Sequence, residues 1–213
     1  MRHVDEVFSP FRPDSAVCRV RRGELVPKEW QPELREVLDL CEDAHRRTDG
    51  WFDAWHSGVF DPSGLVKGWA VERAALLLRD MGAEHVCLNG GGDVQLHGGP
   101  WRVGIAHPLV PGTCAGVVEC VEGPLAVATS GPAERGCRIV DPRTGAPPSH
   151  GLASLTVTGA SLTEADMLAT AAYGMGAGAR EWLSGLPGVS AFAVTRDGET
   201  WTGPKGRTRL PQG

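Results

Sequence analysis

Segments of helical and of strand-like periodicity follow one another in an irregular order along this chain, and that order restricts its fold more than any single motif. Residues Pro32 to about Arg47 read as a helix. Proline suits its first turn, and Leu34, Val37, Leu38 and Cys41 recur at the i, i+3, i+4, i+7 spacing of one buried face. A second helix is predicted from near Lys67-Gly68 to Gly82, carrying Val71, Ala74, Ala75 and Leu78 inward. A third covers about 162–176 and a fourth about 178–183. Strand-like runs fall at 84–88, 101–106, 116–121, 125–129, 138–140, 154–158 and 189–195. No strict βαβ alternation fits this order. The expectation is therefore one α+β domain spanning 1–213, a largely antiparallel sheet flanked by helices.

Composition narrows the class further. Glycine (29) and proline (16) make up about a fifth of the 213 residues without a collagen-like period, which means many turns between short elements. Hydrophobic residues at 41% against 22% charged exclude a disordered chain. The net charge of −5 argues against a nucleic-acid partner held by bulk charge. No apolar run approaches the length needed to span a bilayer, and the start Met1-Arg2-His3-Val4-Asp5-Glu6 has no apolar stretch, so no secretory signal and a cytoplasmic location are expected. Six cysteines, at 18, 41, 87, 114, 120 and 137, form no CxxC pair and read as free thiols.

Several short motifs have chemistry available to them. Asn89-Gly90-Gly91-Gly92-Asp93 and Ala128-Thr129-Ser130-Gly131 each follow a strand, and glycines without a Cβ let backbone N–H groups approach an anion such as a pyrophosphate. Taken singly, each also suits a tight turn. Lys67, placed at a helix start, sets a cation against the macrodipole, a conflict that an anion would relieve; a solvated lysine is the plainer alternative. Asp166 and Thr170 stand four apart in a helical stretch and share a face. A carboxylate and a hydroxyl are hard oxygen donors that suit Mg²⁺ at ~2.1 Å, with water and phosphate oxygens completing an octahedron; an Asp near a helix N-terminus and a Thr bonding back to its own helix are the plainer alternative. Asp141-Pro142-Arg143-Thr144-Gly145 reads as a turn after a strand. Trp51, Trp55 and Trp69 suit either a core or an aromatic ligand. No GxSxG, HExxH, Rossmann or P-loop pattern is present.

In their order and spacing these pieces resemble the ApbE-type family, the FAD:protein FMN transferases. The resemblance runs from Phe8-Ser9-Pro10-Phe11-Arg12-Pro13-Asp14-Ser15 through Thr48-Asp49-Gly50-Trp51-Phe52-Asp53 to the lysine segment 64–74. It continues through 89–93, 128–131, 141–145 and 165–170, most of the chain. It implies a flavin-transferase fold whose cleft takes FAD as substrate with Mg²⁺ (or Mn²⁺) on the pyrophosphate. The implied activity moves the FMN part of FAD onto a Thr or Ser hydroxyl of an acceptor protein and releases AMP. The alternatives are hydrolysis of FAD to FMN and AMP, or FAD binding with little transfer.

Carried over residue by residue, the resemblance makes Asp166 and Thr170 metal ligands, with a backbone carbonyl near Val66. It places Phe11 near the isoalloxazine ring and lines the nucleotide with Lys67, Glu72 (usually Asp in the family), Asn89, Gly91, Gly92, Asp93, Thr129 and Ser130. Where the family commonly has a histidine, three residues before the Asp of its DP-x-TG motif, this chain has Arg138. A guanidinium stays protonated, so it clamps phosphate but cannot act as a base. Asp141 or His150 is then expected to take the proton. The family's N-terminal strand with its Met-Gly-Thr motif is expected to be missing, as is the lipoprotein signal that many relatives carry.

Overall fold

The computed structural model describes residues 2–132, 139–148, 151–203 and 208–209. In chain order the elements are α1 (Arg2–Phe8), α2 (Ala16–Arg21), α3 (Pro32–Arg47), α4 (Ser63–Asp80), β1 (Val86–Gly90), β2 (Asp93–His97), β3 (Trp101–Ala106), β4 (Cys114–Cys120), β5 (Leu125–Ser130), β6 (Leu152–Gly159), α5 (Leu162–Met175), α6 (Ala179–Ser184), β7 (Ser190–Thr195), β8 (Thr200–Thr202) and β9 (Thr208–Arg209). Six strands form one sheet in the order β1-β2-β5-β6-β7-β8, and β3-β4-β9 form a second. Every pairing is antiparallel. The expected α+β class and antiparallel sheet are both present.

Helix α5 is the centre of the molecule. Ser161 caps it by accepting the Glu164 N–H, and Leu162, Ala165, Met167, Leu168, Ala169, Ala171, Ala172 and Tyr173 are all buried. A helix buried along most of its circumference belongs inside a core. It packs between α4 and the face of β5 and β6, where Ala126, Ala128, Leu155 and Val157 meet it. Each large aliphatic side chain buried this way contributes about 1.5–3 kcal/mol. The other face of the sheet meets the smaller one over Val94, Leu96, Val118, Leu125, Val127 and Phe192.

Helix α3 has the predicted bounds, with Leu34, Val37, Cys41 and Ala44 buried. Thr48 ends it: its hydroxyl donates to the Ala44 carbonyl and accepts the Phe52 N–H. Asp49 (φ 51) and Gly50 (φ 78) then turn the chain through left-handed conformations.

Other expectations need correction. Helix α4 begins at Ser63, so Lys67 lies a turn inside it, and Leu78 is 41% exposed, as Leu76 and Leu77 beside it are exposed too. The glycine cluster after β1 is a two-residue hairpin loop. Gly90 pairs with Asp93, and Gly91 (φ 68) and Gly92 (φ 106) both take the positive φ that such a loop needs. Ile139 and Val140 are not in a strand. Helices α1 and α2 and strands β2, β8 and β9 add to the elements that periodicity predicts. The five described cysteines are free. Among the described residues, no helix is long and apolar enough to cross a membrane.

Candidate active site

Asp166 and Thr170 do share a face, and that face meets two glycines of α4. The Gly68 N–H donates to Asp166 Oδ2 at 2.8 Å, and the Thr170 hydroxyl donates to the Gly64 carbonyl at 3.2 Å. The contact leaves no room for a side chain at Gly68 and little at Gly64. A Cβ on Gly68 would stand 2.5 Å from the Leu162 carbonyl oxygen and 2.7 Å from Asp166 Cβ, and one on Gly64 would stand 3.0 Å from Thr170 Cγ2. Asp166 is only 3% exposed, a burial tolerable for a carboxylate only with polar or cationic partners. Val66 is also buried, and its N–H bonds to Pro62. The carbonyl that Thr170 meets belongs to Gly64, two residues before Val66.

Lys67 leaves the same stretch of α4 toward the sheet. Its Nζ lies 2.9 Å from Asp93 Oδ2, and Asp93 Oδ1 accepts the Thr129 N–H at 3.1 Å. Asp93 is fully buried, and that burial raises its carboxyl above the ordinary range while Lys67 pulls the other way. Asn89 Oδ1 accepts the Gly92 N–H and so braces the hairpin loop, while Gly91 packs beside the Lys67 stem. Thr129 shares a hydrogen bond with Thr156 at 2.9 Å, a partner that sequence reasoning missed. Ser130 is buried and, by strand alternation, points to the opposite side of the sheet from Thr129.

A cavity of about 350 Å³ opens beside the Gly64–Thr170 contact, lined among others by Phe11, Trp51, Asp53, His56 and Pro142. Phe11 is 77% exposed at its edge. Trp51 holds the proline turn in place, for the Arg143 guanidinium lies 4.0 Å over its ring. Asp141 closes that turn. Its carboxylate accepts the Arg143 N–H at 2.9 Å, its carbonyl accepts the Thr144 and Gly145 N–H groups, and it does not line the cavity. Arg138 and His150 lie outside the described residues.

Glu72 stands apart from the nucleotide-lining group proposed for it. One oxygen, Oε2, accepts from Ser161 Oγ (2.8 Å), Thr163 N (2.8 Å) and Thr163 Oγ1 (2.5 Å), so the side chain is spent on the N-terminus of α5. It borders a second cavity, of about 520 Å³, between α3, α4 and α5. Among the described residues no group of three or more His, Cys, Asp and Glu side chains forms a metal cluster. Cation binding at the seam would rest on one carboxylate, one hydroxyl and one carbonyl.

Comparison with known proteins bears on the fold and the family. The ApbE family model matches residues 56–193. A FAD:protein FMN transferase of Vibrio cholerae is 36% identical over 130 residues, 54% of this chain and 38% of that protein. One from Rhodobacter capsulatus is 36% identical over 165 residues, 70% of this chain and 31% of that protein. The crystal structure of the ApbE protein from Thermotoga maritima shares the fold, with a TM-score of 0.82 at 23% identity over 95% of this chain and 86% of that one. The matched region spans less than half the length of these two curated relatives. The chain belongs to the ApbE family.

Proposed function

We propose that this chain transfers the FMN part of FAD to a Ser or Thr hydroxyl of an acceptor protein and releases AMP. The observation that carries the reading is the α4–α5 seam, where Asp166 and Thr170 meet Gly64 and Gly68 beside an open cavity. The names of the relatives supply the reaction class.

The donor set fits Mg²⁺ or Mn²⁺: the Asp166 carboxylate, the Thr170 hydroxyl and the Gly64 carbonyl are hard oxygens converging on one seam. In this reading Asp166 and Thr170 hold the cation, with a backbone carbonyl of the 64–66 stretch beside them. When bound, such an ion offsets the pyrophosphate charge and eases departure of AMP.

The chain's own residues do the rest. Lys67, held by Asp93, sets a cation against the phosphates, and the open Gly91-Gly92 loop lets them approach the backbone. Phe11 offers an exposed ring face for the isoalloxazine at the cavity edge. The turn at Asp141, pinned through Arg143 to Trp51, brings Pro142 to the cavity wall and positions the FMN half.

Incubation with FAD, Mg²⁺ and a Thr-containing peptide tests this. Flavin fluorescence that stays with the peptide after denaturation, with equimolar AMP, supports transfer. AMP with free FMN replaces it by hydrolysis. FAD binding without AMP release leaves only a binding protein.

A further inference from the structure

We propose that His56 is the proton acceptor of the 350 Å³ cavity, an assignment that rests on the FMN-transfer reading above. Three side chains lining that cavity, among the described residues, are able to accept a proton: Asp53, Asp61 and His56. Both carboxylates are committed. Asp61 Oδ2 is 3.3 Å from Arg21 Nη2, and its Oδ1 accepts the Ser63 N–H at 3.1 Å. Asp53 Oδ1 accepts the Trp55 N–H at 2.8 Å and lies 3.9 Å from His45 Nδ1.

The backbone fixes which imidazole nitrogen carries the proton. His56 Nδ1 is 3.0 Å from the Asp53 carbonyl oxygen. A carbonyl only accepts, so Nδ1 bears the hydrogen and Nε2 of the neutral ring keeps its lone pair. The same carbonyl steadies the imidazolium once Nε2 is protonated, the part an orienting acceptor plays for any catalytic imidazole. The loop is firmly built: the Asp61 N–H bonds to the Ala54 carbonyl at 2.6 Å, and Trp55 packs on the buried Phe60 ring with centroids 4.9 Å apart. Among the described residues, the charged and titratable groups that line the cavity with His56 are Asp53, Asp61 and Arg21, and His45 stands beside Asp53.

The step balances without a redox partner. The acceptor hydroxyl gives its proton to His56 Nε2 as its oxygen bonds to the FMN phosphorus. The bond from that phosphorus to the bridging oxygen breaks, and AMP leaves with the electron pair. The imidazolium then returns its proton to solvent.

The test has an arm that needs no turnover. Nitrogen-15 NMR of the imidazoles in the chain without FAD should find His56 protonated at Nδ1; protonation at Nε2 overturns the assignment. In the second arm, His56→Gln keeps a donor for the Asp53 carbonyl but removes the base. Its kcat for AMP release from FAD, with Mg²⁺ and a Thr-containing peptide, should fall about 10²-fold or more. The FAD Kd should hold, and the acid limb of the pH–rate profile should disappear. His56→Ala should regain part of the rate with added imidazole, which separates lost chemistry from lost folding. An active wild type matched by an equally active His56→Gln overturns this assignment alone. A wild type that releases no AMP overturns the transfer reading and this assignment with it.

Discussion

Gly68 and Asp166 are joined across two helices by a 2.8 Å hydrogen bond from backbone N–H to carboxylate, at a point where a Cβ on the glycine would stand 2.7 Å from that of the aspartate. Thr170 donates to the Gly64 carbonyl and Asp166 accepts from the Gly68 N–H, so a polar pair on α5 engages two backbone groups four residues apart on α4. Packing and polar chemistry depend on the same two glycines.

Gly68→Ala should therefore destabilise the fold, because the new methyl meets the Leu162 carbonyl at 2.5 Å and neither backbone can yield freely. Overpacking of this kind costs about 1–3 kcal/mol. Thermal denaturation should show the midpoint several degrees lower. An unchanged midpoint would mean that the helices slide apart without penalty.

The Lys67–Asp93 pair should respond asymmetrically. Lys67→Met leaves a fully buried carboxylate without its ammonium, a loss of about 3–5 kcal/mol. Asp93→Asn keeps the acceptor for the Thr129 N–H and should cost less. Urea midpoints rank the two. Because the Asp93 carboxyl is raised in the fold, its contribution to stability is fullest below the ordinary value of 3.8 and declines as pH rises through the raised value. Asp93→Asn should remove that decline, and an identical pH profile would contradict it.

His97 gives the opposite sign. It is buried at the end of β2, its Nε2 has no hydrogen-bond partner among the described residues, and burial, then Arg79, lowers its pKa. The neutral ring is favoured in the fold, so its contribution is complete above the ordinary value of 6.5 and is lost as pH falls through the lowered one. Melting temperatures between pH 7.5 and pH 5 should drop less in His97→Gln than in wild type.

Glu72→Ala should destabilise the protein by about 1–3 kcal/mol, since Ser161 and Thr163 lose the acceptor that ties α5 to α4. Its FAD affinity, measured by fluorescence titration, should stay near wild type. A large loss of affinity with normal stability would return Glu72 to the nucleotide site.

How far the sequence carries the argument depends on where the physics is local. Helix α3 is readable to its bounds because Leu34, Val37 and Cys41 repeat at one period and Thr48-Asp49-Gly50 stops it. Helix α4 is not, because Gly64 and Gly68 weaken a helix in isolation and make sense only against α5. Strand β2 alternates Asp93, Gln95 and His97 with Val94 and Leu96, the pattern of a half-exposed strand, yet all five are buried because partners cover both faces. The same division holds in the site. The four-residue spacing of Asp166 and Thr170 is visible in the chain, as are the glycine loop and Lys67. Which carbonyl faces Thr170, what Glu72 holds and what lines the cavity are tertiary facts. His56 sits in a short 3₁₀ turn with no periodicity to mark it.

The central claim is that the seam of α4 and α5 holds a divalent cation for a bound flavin dinucleotide. The most direct measurement is Mn²⁺ binding followed by electron paramagnetic resonance, with FAD present, in wild type and in Asp166→Ala. The account predicts saturable binding in wild type and an affinity about tenfold or more weaker in the variant, with the fold retained by circular dichroism. Equal Mn²⁺ affinity in the two proteins would contradict it.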